Sequence, residues 1–243
     1  MKIPSITEML QAGVHFGHQT SRWHPKMNQY IFTVRNGIHV INLEKTQAEL
    51  EKTLAAVRSM AAEGKSILFV TTKPQARDIV KQAAIDCGSP YLIDRSLGGM
   101  ITNFTEIKKL IRSYIDLKEQ QKSGELEKYT KKEQLEIAKD LEKKDETLGG
   151  LISLDRMPDA VFFPALQREK TAVVEANKMG VTVIGVSDTN ANPLKADYII
   201  PANDDAVKSL AMMVSLVAEA IKEGKEEFEK KKAETKAAAQ PQQ

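Results

Sequence analysis

The hydrophobic positions of this chain change period along its length, and those changes mark out its elements. Ile67–Val70 is an uninterrupted apolar run, too short for a helix and made of strand formers. A run that is apolar on both faces suits a parallel strand covered by helices on either side. Pro74 then pre-sets a first helical turn. Ile79, Val80, Ala83 and Ala84 supply a 3.6-residue stripe that closes at Gly88, and Pro90–Asp94 opens another apolar run. Strand, helix, strand at this spacing predicts a right-handed crossover unit.

The same alternation resumes downstream. Asp159–Phe163, a helix over Glu169–Met179, a strand over Val181–Val186 and a short strand at Tyr198–Ile200 follow in order. A last helix is expected from near Asn203 to about Gly224, after which the apolar stripe fades into frayed helix and then disorder. Together these elements predict an α/β fold with a doubly wound sheet of about five mostly parallel strands.

Two stretches break the alternation. Near the N-terminus, Ser5 and Glu8 have capping-box spacing, and Asn36-Gly37 between two apolar runs predicts a β-hairpin with Arg35 at its tip. A helix over Glu44–Glu63 follows. The intervening Val14–Gln29 has neither helical nor strand period and is expected to be an ordered loop or extended arm. The other stretch, Thr105–Leu148, is helical and broken once at Ser123-Gly124. Ile107, Leu110, Ile111, Tyr114 and Leu117 on one side, with Leu135, Ala138, Leu141 and Leu148 on the other, predict an antiparallel helical hairpin or coiled coil. The expected units are therefore residues 1–43, an α/β body of 44–104 and 149–224, an inserted hairpin of 105–148, and a disordered tail of 225–243.

Composition narrows the class. A single cysteine, Cys87, excludes a disulfide framework or Cys-rich zinc site, and no run approaches the roughly 18 apolar residues of a membrane span. The opening lacks the apolar core of a signal peptide, so a cytosolic protein without a membrane partner is expected. Net charge is only +2, but its distribution is uneven. From Met9 to Leu43 there is no Asp or Glu, where the chain average would place about five; the same stretch holds Arg22, Lys26, Arg35 and all four histidines. A surface free of carboxylates suits a polyanion, since carboxylates would repel phosphate. Trp23 lies between Arg22 and His24. Its ring and that of Phe16 either stack on bases or pin the segment to the core.

An enzyme would use the loops beyond the strands' carboxyl ends: TTKPQ (Thr71–Gln75), SDTNANP (Ser187–Pro193) and PANDD (Pro201–Asp205). None contains a phosphate-binding or nucleophile motif. Asp188, Asp204 and Asp205 could gather around a cation, with turn and helix capping as the competing role. His15, His18, His24 and His39 lack the cysteine or carboxylate neighbours that would strengthen a zinc assignment. No catalytic residue, cofactor or metal site is assigned.

The motifs GVHFGHQTSRWHPKMNQYIFTVRNGIHVINLEKT, SLGGMITNF, YTKKEQLEI, LGGL, MPDAVFF, GVSDTNANP and YIIPANDDAVKS occur in this order from about residue 3 to 224. In them the chain resembles the bacterial small-subunit ribosomal protein S-two family. Two positions depart from its pattern: Ser96 stands where Trp is usual, and Ala191 where Cys is frequent. The resemblance implies a flavodoxin-like sheet with an inserted helical hairpin. It also implies a structural, non-catalytic role in the small ribosomal subunit and in translation. There the family binds small-subunit rRNA, contacts neighbouring small-subunit proteins and helps recruit ribosomal protein S-one. The resemblance does not say which residues touch RNA. The carboxylate-free segment nominates Arg22, Lys26 and Arg35, with His15, His18, Trp23 and His24 behind them.

Overall fold

The computed structural model describes residues 3–94 and 98–238. Ser96 and residues 239–243 of the expected tail lie outside them. In chain order the elements are α1 (Ile6–Gln11), β1 (Phe16–Gln19), β2 (Ile31–Arg35), β3 (Ile38–Ile41), α2 (Leu43–Ala62), β4 (Ile67–Val70), α3 (Pro74–Asp86) and β5 (Tyr91–Leu92). Then come α4 (Phe104–Ser123), α5 (Lys131–Leu148), β6 (Ala160–Phe163), α6 (Lys170–Met179), β7 (Thr182–Ser187), β8 (Tyr198–Pro201) and α7 (Val207–Ala238).

Strands β4 to β8 form one sheet in the order β5-β4-β6-β7-β8, and every pairing in it is parallel. Counted within the sheet this order is 2-1-3-4-5, the doubly wound arrangement in which the topology reverses between the first and third strands. The apolar runs are buried on both faces, as their lack of alternation requires. Ile67 and Phe69 join a layer with α2, α3 and α7, whereas Leu68 and Val70 join the opposite layer with α6 and the bases of α4 and α5. Among the described residues no helix is long and apolar enough to cross a membrane.

The connection from β5 to β6 carries α4 and α5, which lie against each other. Tyr114 is fully buried between them; its hydroxyl bonds Asp145, and Lys118 Nζ reaches Asp145 Oδ1 at 2.7 Å. Thr130 and Glu133 complete the expected capping box at the start of α5. The expected apolar face is partly wrong. Leu110 and Leu135 are 48% and 56% exposed, while Ile107, Ile111, Leu141 and Leu148 are buried. Half-buried Ile137, rather than Ala138, fills the next position of the α5 face. Residues at positions 107, 111 and 114 keep to one stripe, and Leu110 lies a quarter-turn off it.

Two expectations need correction. The aperiodic stretch before the hairpin is not an extended arm throughout. Phe16–Gln19 pairs antiparallel with β3, giving a second sheet in the order β1-β3-β2, and two 3-10 turns at Thr20–Arg22 and Pro25–Tyr30 close the loop. The hairpin turn itself is as expected, with Asn36 and Gly37 both at positive φ. Nor does the helix fray after Gly224 within the described residues: α7 runs on to Ala238. Gly224 is no stop but a crossing point, because a Cβ there would lie 2.4 Å from Arg58 O of α2. Beyond it the Phe228 ring covers Gly64, Lys225 Nζ bonds Cys87 O and Gly88 O, and Arg58 pairs with Glu223 and Glu227. Tertiary partners replace the apolar stripe that the sequence loses there.

Candidate nucleic-acid interface

The small β1-β3-β2 sheet is seated on the carboxyl ends of the large one. Gly17 makes this possible, since a Cβ there would lie 2.6 Å from Thr189 Cγ2. The segment is then tied down by backbone hydrogen bonds. His24 N donates to Thr189 O at 2.7 Å, His18 N to Thr189 Oγ1 at 2.8 Å, and Asn203 N to Val14 O at 3.0 Å. Met27 is fully buried beneath it, its sulfur 3.4 Å from Ser187 Oγ.

This seating separates the seven nominated residues into two groups. Arg22, Lys26 and Arg35 are exposed, and among the described residues their side chains form no hydrogen bond or ion pair. The rings pack on neighbouring rings, with Trp23 and Phe16 still partly open to solvent. Trp23 packs on His39 with centroids 5.2 Å apart, and His15 lies on Phe16 at 4.0 Å. Burial pushes the pKa of both His15 and His39 down, which keeps them neutral. His24 Nδ1 accepts from Lys26 N at 3.2 Å and so caps the second 3-10 turn.

His18 points into the body. Its Nδ1 lies 3.1 Å from Asp188 Oδ2 and its Nε2 3.4 Å from Asp205 Oδ2. The hydrogen bond to Asp188 raises the imidazole's pKa, against the effect of burial. Asp188 is fully buried; its carboxylate also accepts from Thr189 Oγ1 at 3.2 Å and Asp204 N at 3.3 Å. Burial, with Asp188 close by, pushes Asp204 up to about 6. Asp204 and Asp205 do not cap α7. Ahead of the helix, Asn203 Oδ1 accepts from Asp205 N and Ala206 N and closes a turn.

One ligand atom from each of His18, Asp188, Asp204 and Asp205 lies within 4.8 Å of the others, an oxygen-rich set of the kind that holds cations. The positive charge is already supplied from within. Lys73 Nζ bonds Asp204 O and lies 3.0 Å from Asp204 Oδ1 and 2.6 Å from Asp205 Oδ1. Burial pulls the Lys73 pKa down, but these carboxylates hold it above the usual value. The four histidines take separate positions and form no cluster of their own.

A cleft of about 390 Å³ lies over the switch point between β4 and β6, lined by His18, Lys73, Gln75, Arg168, Asp204 and Asp205. Sequence reasoning missed a buried carboxylate next in sequence to one of these residues, Arg168. Glu169 is buried and accepts from Thr72 N at 2.5 Å and Thr72 Oγ1 at 2.8 Å. One backbone donor of the loop after β4, Thr72 N, is thus taken by the protein's own carboxylate. A Glu one residue ahead of a helix gave no signal of this, because its partner is 97 positions away. Ala191, the other departure from the family pattern, is buried in the second core layer.

The family model described as "Ribosomal protein S2" matches residues 9–224. The "Small ribosomal subunit protein uS2" of Salinibacter ruber is 46% identical over 235 residues, which span 97% of this chain and 73% of that protein. With the match running from α1 through the crossing point in α7, the chain belongs to the ribosomal protein S2 family.

Proposed function

We propose that this protein is a structural, non-catalytic constituent of the small subunit of cytoplasmic ribosomes, and that its N-terminal segment binds small-subunit rRNA. Arg22, Lys26 and Arg35 hold phosphates; Trp23, His15, His18 and His24 shape and anchor the surface that presents them. One observation carries the reading: three exposed cations without acidic partners stand on a segment, Met9–Leu43, that contains no carboxylate. Some cations of this fold pair with acids, as Lys118 does with Asp145 and Arg58 with Glu223, and the many lysines of α4 and α5 stand among Asp and Glu, which this segment lacks. Unpaired cations on a fixed scaffold suit a polyanion recognised by phosphate contacts and shape. Alongside this, α4 and α5 act as a coiled-coil docking arm for protein partners, S-one among them. Exposed Leu110 and Leu135 support that part of the reading.

The test is the triple variant Arg22→Ala, Lys26→Ala, Arg35→Ala. It should stay folded, lower the salt slope of log K for rRNA by up to roughly 2–3 units, and be under-represented in small subunits of cells that also carry the wild type. Equal incorporation would move the RNA surface elsewhere, first to the lysines of α4 and α5. For the docking arm, Leu135→Asp should weaken retention of S-one on purified subunits.

A further inference from the structure

The stretch from Pro164 to Ala196 carries three acids, Glu169, Glu175 and Asp188, and none of them serves the outer surface. Glu169 is buried on Thr72, and Asp188 is buried against His18. Glu175 belongs to α6 but turns towards the loop ahead of α4. Its Oε1 accepts from Gly99 N at 2.9 Å, and its Oε2 from Ile101 N and Thr102 Oγ1, each at 3.3 Å. Acids just outside the stretch are engaged too. Glu106, in the first turn of α4, pairs with Lys109, and Asp197 Oδ2 accepts from Val183 N at 2.8 Å.

The cations are not withdrawn in this way. Arg168 lines the cleft at His18, but Lys170, Lys178 and Lys195 are exposed, and among the described residues none of these three forms an ion pair. Lys170, Val174 and Lys178 follow at four-residue intervals, which sets them in one stripe along α6 with roughly 12 Å between the two lysines along the axis. Val174, between them, is 52% exposed. Asn177 Nδ2 bonds Lys195 O at 2.8 Å and so places Lys195 beside the last turn of α6.

We propose that this face of α6 is a second polyanion-binding surface, which holds the phosphate backbone of rRNA through Lys170, Lys178 and Lys195. It rests on the rRNA-binding reading for the identity of the polyanion, and adds a surface separate from the N-terminal segment. Charge complementarity argues for the occupant, because three open cations whose local carboxylates are drawn inward attract phosphate and offer it little repulsion. Phosphate contacts of this kind fix register and carry no sequence information.

The experiment measures binding of purified small-subunit rRNA across a salt series. The α6 triple Lys170→Ala, Lys178→Ala, Lys195→Ala is compared with the same three changed to Arg and with the N-terminal triple. A control triple removes exposed lysines of α7: Lys208→Ala, Lys222→Ala, Lys230→Ala. The α6 triple should melt with the wild type and lower the salt slope of log K by up to roughly 2–3 units, whereas the Arg set and the control should keep the slope. Val174→Glu, which puts a carboxylate into the stripe, should weaken binding at low salt by a factor that shrinks as salt rises. An unchanged slope for the α6 triple, or an equal drop for the control, overturns the proposal. If only the N-terminal triple loses slope, the α6 surface falls and the rRNA reading stands. If only the α6 triple does, the proposal stands and the N-terminal assignment falls; if neither does, both fall. Normal rRNA binding by the α6 triple with poor retention in assembled subunits means that the face meets a protein, which also overturns it.

Discussion

The N-terminal segment contributes to two sets of charges, one facing the body and one facing away from it, and they do opposite things. His18 turns inward to meet Asp188 and Asp205, with Lys73 and Asp204 completing a mutually paired group whose Asp188 and Asp204 are buried and whose Asp205 reaches solvent. Arg22, Lys26 and Arg35 turn outward and meet nothing acidic. Buried charges are costly unless they are paired and hydrogen-bonded, so the inner set is bound up with the fold. The outer set contributes almost nothing to folding and is therefore available to a ligand. Side-chain type does not separate the sets; position relative to the sheet's carboxyl ends does.

Removing the centre of the inner set should break the comparison most severely. Asp188→Ala strips an acceptor from His18 Nδ1, Thr189 Oγ1 and Asp204 N. It should cost about 3 kcal/mol, which in a chain of this length is roughly 6–12 °C of Tm by calorimetry. The segment should also become protease-sensitive around Trp23.

A smaller loss is expected where α7 continues past its crossing with α2. Truncation before Phe228 removes the ring that covers Gly64. We expect about 1–2 kcal/mol of destabilisation, or several degrees of Tm, from partial loss of aromatic burial. An unchanged Tm would show that the last part of α7 is an ornament.

The inner set also carries a pH dependence that the outer set lacks. Both His18 and Asp204 have folded pKa values above their unfolded ones. Each therefore contributes stability that is complete below its unfolded pKa and lost as pH rises through the folded one. For Asp204 the window runs from about 4 to about 6, and for His18 it lies above 6.5. Stability should decline through these windows, and in His18→Gln the decline above pH 6.5 should flatten, as read from denaturant midpoints. A profile identical to that of the wild type would mean that His18 is not coupled to the acids.

The smallest effect is expected from the outer set. Arg22→Ala, Lys26→Ala and Arg35→Ala should each change folding stability by no more than about 0.5 kcal/mol. Their losses should appear only in RNA binding, as a graded series. A cation whose removal lowered Tm by several degrees would belong to the inner set.

Whatever depends on neighbours in sequence could be read without a structure. The apolar runs at 67–70 and 159–163, the stripe of α3, the Asn36-Gly37 turn and both capping boxes are local matters. Each is settled within a few residues by burial period or by backbone geometry. The acid-free stretch and its three cations were legible for the same reason, being a feature of composition. The tertiary structure alone decided what depends on residues far apart. It turned Phe16–Gln19 into a strand by supplying β3, and carried α7 past Gly224 by laying it on Arg58 and Gly64. It moved Leu110 off the helix seam, gave Glu169 to Thr72 and drew His18 into the acids at the sheet's end. It also turned Glu175 away from the lysine-bearing face of α6. A periodicity records which face of an element is buried, but not what buries it. Those partners are 19 to 187 positions away, and only folding brings them into contact.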